Sequence, residues 1–184
     1  MNDSPAPSAS APALPTSPDQ LLARLAELGL KTRTVTHPPV FTVEEAKALR
    51  GELPGAHIKN LFLRNPKGRM WLVVAEEDRP IDLKALGELL GAGRLSFGSP
   101  DRLMTYLGVI PGAVTPFGIV NDTGNQVKVV IDKDVLAHDP VNCHPLCNDR
   151  ATAISPGDLM AFFAACGHPP EVMDLGAVAP KGGG

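Results

Sequence analysis

Apolar residues along this chain recur with two periods. Leu21, Leu22, Leu25 and Leu28 share one helical stripe. Ser17 stands ready to cap it, with Pro18 at the first helical position, Gln20 to complete a capping box and Gly29 to end it. Lys31 to His37 alternates and is β-branched, which predicts a strand. Thr42-Val43-Glu44-Glu45 forms a second capping box, opening a short helix to Arg50-Gly51. Between His57 and Glu76 two apolar runs flank Asn65-Pro66-Lys67-Gly68, the pattern of a β-hairpin. Asp82 caps a helix through Leu90-Gly91, Arg94 to Phe97 reads as a short strand, and Ser99-Pro100-Asp101 starts a helix that stops at Leu107-Gly108.

The stretch Val109 to Gly118 is too rich in proline and glycine for regular structure, yet too apolar to stand in solvent. It is expected to fold back on the core as a loop. Gly118 to Asn121 and Val127 to Asp132 predict strands around the turn at Asp122 to Asn125, Val141 to His144 and Ala151 to Ile154 are strand-like, and Ser155 caps a last helix to Cys166-Gly167. The sum is an α+β fold: a single domain over residues 17–176 whose mixed, curved, barrel-like sheet carries packed helices. Residues 1–16, rich in Pro, Ala and Ser, are expected to form a disordered leader, and 177–184 a flexible tail.

Composition narrows the function classes. Of 184 residues, 43% are apolar, enough to build a core. No apolar run reaches the roughly 18 residues of a membrane helix, and no secretory signal pattern opens the chain. Three cysteines without framework spacing point to reduced thiols in a cytoplasm. The net charge of −3 argues against a nucleic-acid partner, but its distribution does not. Residues 24–69 hold nine Lys/Arg against four Glu, and the remainder eight against sixteen acids. A basic N-terminal half on an acidic body suits an RNA-facing surface, although scattered solvated lysines would give the same count.

No G-x-S-x-G, P-loop or H-E-x-x-H motif is present. The acidic pairs Glu76/Glu77 and Asp132/Asp134 fall at turns and strand ends, where solvation explains them. His138, Cys143, His144 and Cys147 raise zinc, but the spacing is not that of a zinc ribbon and no second ligand pair lies elsewhere. Two semi-buried thiols beside an ordered histidine are preferred, with no metal and no cofactor. Lys59 stands just before Leu61-Phe62-Leu63 and beside Asn60, a poor strand former. It is a candidate positioned charge, against the alternative of an ordinary surface or edge-strand lysine. Gly112 to Pro116 is either a plain turn or a loop that offers backbone N–H groups to an anion. His144, before Pro145, is either a core histidine or a functional one.

K-N-L-F-L (59–63), W-L-V-V (71–74), L-S-F-G-S (95–99), L-G-V-I-P-G-A-V-T-P-F (107–117) and V-N-C-H-P-L-C-N-D-R-A-T (141–152) occur in that order. Together they resemble the YbaK/prolyl-tRNA-synthetase-associated editing domains, over residues 18 to 175. T-H-P-P-V-F-T-V-E-E (36–45) adds a likeness to the freestanding alanyl-tRNA(Pro) deacylases. The resemblance implies hydrolysis of alanine from mischarged proline tRNA, with prolyl-tRNA synthetase as a further partner and neither DNA nor membrane involved. It implies that Lys59 holds the RNA 3′ end or polarises the substrate, and that the Gly112-x-x-x-Pro116 loop binds the aminoacyl end through Ala113, Val114 and Thr115. It further implies that His144 orients substrate or water, and that Asn60 fixes Lys59 or meets the ribose. Phe41, Thr42 and Val43 are expected to wall an alanine-sized pocket, and Arg50, Arg64, Lys67 and Arg69 to receive the acceptor stem. The alternatives are a cysteinyl-tRNA(Pro) deacylase on the same fold, and a tRNA- or synthetase-binding module without chemistry.

Overall fold

The computed structural model describes residues 15–39, 42, 44, 45, 48 and 53–180. The expected leader up to residue 14 lies outside them, as do the end of the tail, Phe41, Val43 and Arg50. Helix α1 (Pro18–Glu27) is capped as its sequence dictates: the Ser17 hydroxyl accepts from the Gln20 N–H, and the Gln20 side chain accepts from the Ser17 N–H. The second capping box also forms, with Thr42 Oγ1 accepting from the Glu45 N–H at 3.1 Å. Strand β1 (Thr32–Thr36) follows α1. The hairpin consists of β2 (Ala56–Arg64) and β3 (Met70–Glu76), paired from Ile58↔Glu76 to Arg64↔Met70. Its turn is tied by Asn65, whose Oδ1 accepts from the N–H groups of Lys67 and Arg69.

Helix α2 (Leu83–Leu90), the two-residue strand β4 (Ser96–Phe97) and helix α3 (Pro100–Leu107) come next. Then follow β5 (Val127–Asp132), β6 (Val141–Cys143), β7 (Arg150–Ile154), α4 (Pro156–Ala165) and β8 (Glu171–Met173). The sheet runs β1-β7-β6-β2-β3-β5-β8, with β4 added to β2. It is mixed: β2–β6, β3–β5 and β5–β8 are parallel and the other pairs antiparallel. Among the described residues its ends, β1 and β8, do not pair, so the barrel-like sheet is open.

Both faces of the sheet are covered, which is why Met70 to Ala75 is a run of buried apolar residues without alternation. On the first face, Ala56, Phe62, Leu72, Val74 and Val129 pack against α1, α3 and α4 through Leu25, Leu107 and Phe162. On the second, Leu63, Trp71, Val73, Ala75 and Val130 pack against α2 and the turn at 175–178. Residues 118–121 are not the expected strand. They continue a 3-10 helix, Pro116–Asn121, which starts because proline fixes its first residue and the Thr115 hydroxyl accepts from the Phe117 N–H. The expected strand at Arg94 is likewise confined to Ser96–Phe97.

Candidate active site

Strand β2 divides the candidate residues between its two faces. Successive residues of a strand point to opposite sides. Lys59, level with Ala75 and flanked by Leu61, belongs to the α2 face. Asn60, level with Val74 and flanked by Ile58 and Phe62, belongs to the other.

The Lys59 ammonium donates to the main-chain carbonyl of Arg79. Burial lowers its pKa, the Arg79 charge adds to that, and Asp78 and Glu77 oppose it. The side chain of the residue that supplies this carbonyl is itself paired. Arg79 Nε lies 2.8 Å from Asp132 Oδ2, its Nη2 bonds Asp134, and Asp132 is fully buried on β5. Desolvation opposes the charge on Arg79, but Asp132 and Asp134 more than restore it. Lys59 thus touches the backbone oxygen of a residue whose side chain pairs with a buried aspartate, a partner that composition did not suggest.

Asn60 serves the loop. Its Nδ2 donates to the Val114 carbonyl at 3.2 Å, while its Oδ1 is buried without a hydrogen-bond partner among the described residues. The outer edge of β2 makes room for this: β6 pairs only at residues 56–57 and β4 only at 63–64. Gly55 is required for the first of these approaches, because at its φ of +102° a Cβ would sit 2.1 Å from the Pro140 carbonyl oxygen. Within the loop, Gly112 and Val114 are half-buried, whereas Ala113, Thr115 and Pro116 lie inside the core. The Ala113 N–H is already bonded to the Ile110 carbonyl. Any contact from this loop to a ligand therefore falls to Gly112, Val114 and main-chain atoms.

His144 follows β6. Its Nδ1 lies 3.2 Å from the Arg150 carbonyl, so Nδ1 carries the proton and Nε2 is the acceptor. Burial lowers its pKa, the bond to Arg150 opposes this, and His37, with its ring 6.3 Å away, adds to the lowering. The imidazole is therefore neutral at pH 7 and presents a lone pair. No hydrogen bond or ion pair among the described residues joins Lys59, the 112–116 loop and His144. His138 turns to Glu76, at 2.8 Å, and burial raises the Cys143 and Cys147 thiols above their ordinary pKa. The His/Cys cluster of the sequence does not converge on a point.

What the sequence did not disclose is a groove. The row His57–Asn142–Ala153–Arg33 crosses β2, β6, β7 and β1 in register, on Lys59's face of the sheet. There a cavity of about 700 Å³ is lined by Val35, Ala151 and Ala153 together with the cationic or titratable Lys31, Arg33 and His37 and the acids Asp139 and Asp158, the last accepting from the Lys31 N–H at 3.1 Å. Its signal was confined to β1, where Lys31, Arg33 and His37 alternate with threonines. Of the expected acceptor-stem residues, Arg64 is half-buried and Lys67 and Arg69 are exposed at the hairpin tip, with Arg69 stacked over Trp71 at 5.9 Å. Thr42 is exposed and engaged with Glu45.

Comparison with known proteins agrees with this architecture. The Prolyl-tRNA editing protein ProX of Acetoanaerobium sticklandii is 40% identical over 156 residues, covering 84% of this chain and 95% of that protein. Prolyl-tRNA synthetase associated domain-containing protein 1 of Mus musculus is 39% identical over 161 residues, covering 85% and 95%. A solved structure described as a candidate trans-editing enzyme for prolyl tRNA synthetase superposes with a TM-score of 0.66 at 24% identity, over 89% of this chain and 98% of the other, and shares the fold. The aminoacyl-tRNA editing domain matches residues 37–162. The chain belongs to the aminoacyl-tRNA editing domain family.

Proposed function

We propose that this protein is a trans-editing deacylase that hydrolyses the ester of alanine mischarged onto proline tRNA. The observation that carries the reading is the half-buried Lys59 ammonium, donating to the Arg79 carbonyl from the sheet position that the family resemblance marks as the functional lysine. A cation at low hydration, fixed by its surroundings, suits a terminal phosphate or an ester carbonyl whose oxygen gains charge as water adds. Water attacks the ester carbonyl carbon and the carbon–oxygen bond to the ribose breaks. The ribose oxygen takes up a proton, and alanine leaves as the free amino acid. The neutral His144, with Nε2 as an acceptor, is suited to orient that water or the substrate's ammonium. An aminoacyl ester is already activated, so positioning supplies much of the rate and no protein nucleophile is required.

Alanine is favoured over cysteine by the likeness of 36–45 to the alanyl deacylases, whose Phe41-Thr42-Val43 segment we assign to the pocket wall. Synthetase specificity against alanine is inherently weak, because a pocket built for proline cannot exclude a smaller apolar residue by more than a modest factor. The test is a deacylation time course on proline tRNA charged separately with alanine, cysteine and proline. Loss of alanine alone is expected. Loss of cysteine instead would move the substrate assignment to the sister specificity, and survival of all three esters would overturn the enzymatic reading.

A further inference from the structure

Three carboxylates gather where β5 ends. Asp132, Asp134 and Asp174 bring side-chain oxygens within 4.8 Å of one another. The cation among them is the guanidinium of Arg79. Its Nε lies 2.8 Å from Asp132 Oδ2, its Nη2 bonds Asp134, and Glu76 stands 3.6 Å away. Gly176 leaves room for it, since a Cβ there would come 2.9 Å from Arg79 Nη1. Asp132 is wholly buried, and its Oδ1 accepts from the N–H groups of Asp134 at 3.3 Å and Leu175 at 3.4 Å. The acid that receives Arg79 is therefore tied to main chain on two sides. A pair of this kind, with one partner out of water, adds little stability that apolar packing could not supply. Its use lies in geometry.

That geometry bears on Lys59. Pairing in the hairpin reaches Ile58↔Glu76, and a turn begins there. The Glu77 N–H bonds the His57 carbonyl at 2.9 Å, and the Arg79 N–H bonds the Glu76 carbonyl at 3.0 Å. Pro80 follows and holds Arg79 to extended conformations, so the direction of its carbonyl follows from the placing of its Cα. Past the proline, the Asp82 N–H bonds the Val178 carbonyl at 2.9 Å. Main-chain bonds thus close the chain on either side of Arg79, and its side chain sets how the turn sits on β5. The carbonyl so placed accepts from the Lys59 ammonium, whose flexible aliphatic stem would otherwise let it range.

We propose that Arg79 is a positioning residue for Lys59: its guanidinium, seated between Asp132 and Asp134, docks the 76–79 turn so that the Arg79 carbonyl holds the ammonium where the ester is met. This rests on the deacylase reading for the reaction it serves, and adds a residue that acts through Lys59 without touching substrate.

The experiment is a double-mutant cycle on the full chain, with Arg79→Lys and Lys59→Ala, read by single-turnover hydrolysis of alanyl-tRNA(Pro). A lysine keeps a cation at Asp132 but cannot span both carboxylates as a fork. Arg79→Lys is expected to lower the maximal rate on the order of tenfold, with the half-saturating concentration little changed. In the Lys59→Ala background the same substitution is expected to change the rate by less than about twofold. Equal losses in the two backgrounds, or no loss in either, would overturn the inference. Asp134→Asn takes away one partner of the fork at a partly exposed position, and is expected to show the same pattern at smaller amplitude; it carries the test if Arg79→Lys does not fold.

A second readout needs no activity: the pH titration of the Lys59 side-chain carbon signals, assigned by their loss in Lys59→Arg. Burial lowers the Lys59 pKa, with the Arg79 charge adding to it and Asp78 and Glu77 opposing. Arg79→Lys keeps every one of these charges, so an upward shift of the titration midpoint reports an ammonium released to water. That shift is expected, and an unmoved midpoint would overturn the positioning role. A wild type that hydrolyses no aminoacyl ester, in a protein whose Lys59 midpoint still moves, would remove the deacylase reading and leave the placing of Lys59 by Arg79 standing.

Discussion

The two faces of β2 meet different demands within one residue of each other. On the Lys59 side the sheet bears a charge and a groove, and the ammonium donates to the main-chain carbonyl of Arg79, whose side chain pairs with the buried Asp132. On the Asn60 side the neighbouring residue ties a compact loop whose Ala113, Thr115 and Phe117 side chains are fully buried. Under the proposed function the first side supplies the charge that meets the ester, and the second holds the shape of the 112–116 loop. On that reading the charge and the loop support are separated by the pleat, not by distance along the chain.

The sharpest way to break this contrast is Lys59→Ala. Single-turnover deacylation is expected to fall on the order of a hundredfold, as when a preorganised donor to a developing charge is removed. The thermal midpoint should stay near that of the wild type, because the lysine is only partly buried. A large fall in stability would assign Lys59 to the scaffold instead. The pH profile sharpens the same point. Burial depresses the Lys59 pKa, so the charged form, and with it the enzymatic rate above hydroxide background, should decline from below the ordinary lysine range. Lys59→Arg, which cannot lose its proton there, should remove that alkaline limb.

Asn60→Ala tests the other face. Loss of the bond to the Val114 carbonyl should cost about 1 kcal/mol in denaturant unfolding. The rate should fall less than in Lys59→Ala, through displacement of the loop. A rate loss equal to that of Lys59→Ala with no stability change would put Asn60 on the substrate. The smallest effect is expected from His144. Its pKa is lowered on folding, so between the folded value and about 6.5 the unfolded chain binds more protons. Stability should then decline as pH falls through that window and level off below it. His144→Asn should flatten this slope relative to the wild type in chemical unfolding at stepped pH.

The hairpin, the capped helices and the buried loop were legible because local chemistry dictates them: Ser17, Asp82, Ser99 and Ser155 all cap as their sequences require. Residues 118–121 misled because Val and Ile favour strands, while Pro116 and the Thr115 cap, two and three residues upstream, set the backbone. Strand β8 escaped notice because Pro169-Pro170 precedes three residues that gain order only by pairing with β5. At the site, Lys59, Asn60 and His144 stood out as residue types out of place in their runs. The Arg79–Asp132 support and the groove did not, since both arise from residues distant in sequence that only the strand order brings together.

A strand that assigns opposite duties to adjacent residues gives the protein a parity. One residue inserted or deleted between Asn60 and the turn at Asn65 would exchange the two sides. Asparagine would then face the groove and lysine the loop, with composition and hydropathy scarcely altered. Substitution at either position is a local event, but a shift in count between them and the turn reverses the whole arrangement. Length changes within the exposed Pro66-Lys67 tip leave the parity untouched. The family to which this chain belongs should therefore vary in the reach of its hairpin far more readily than in the spacing from Lys59 to the turn.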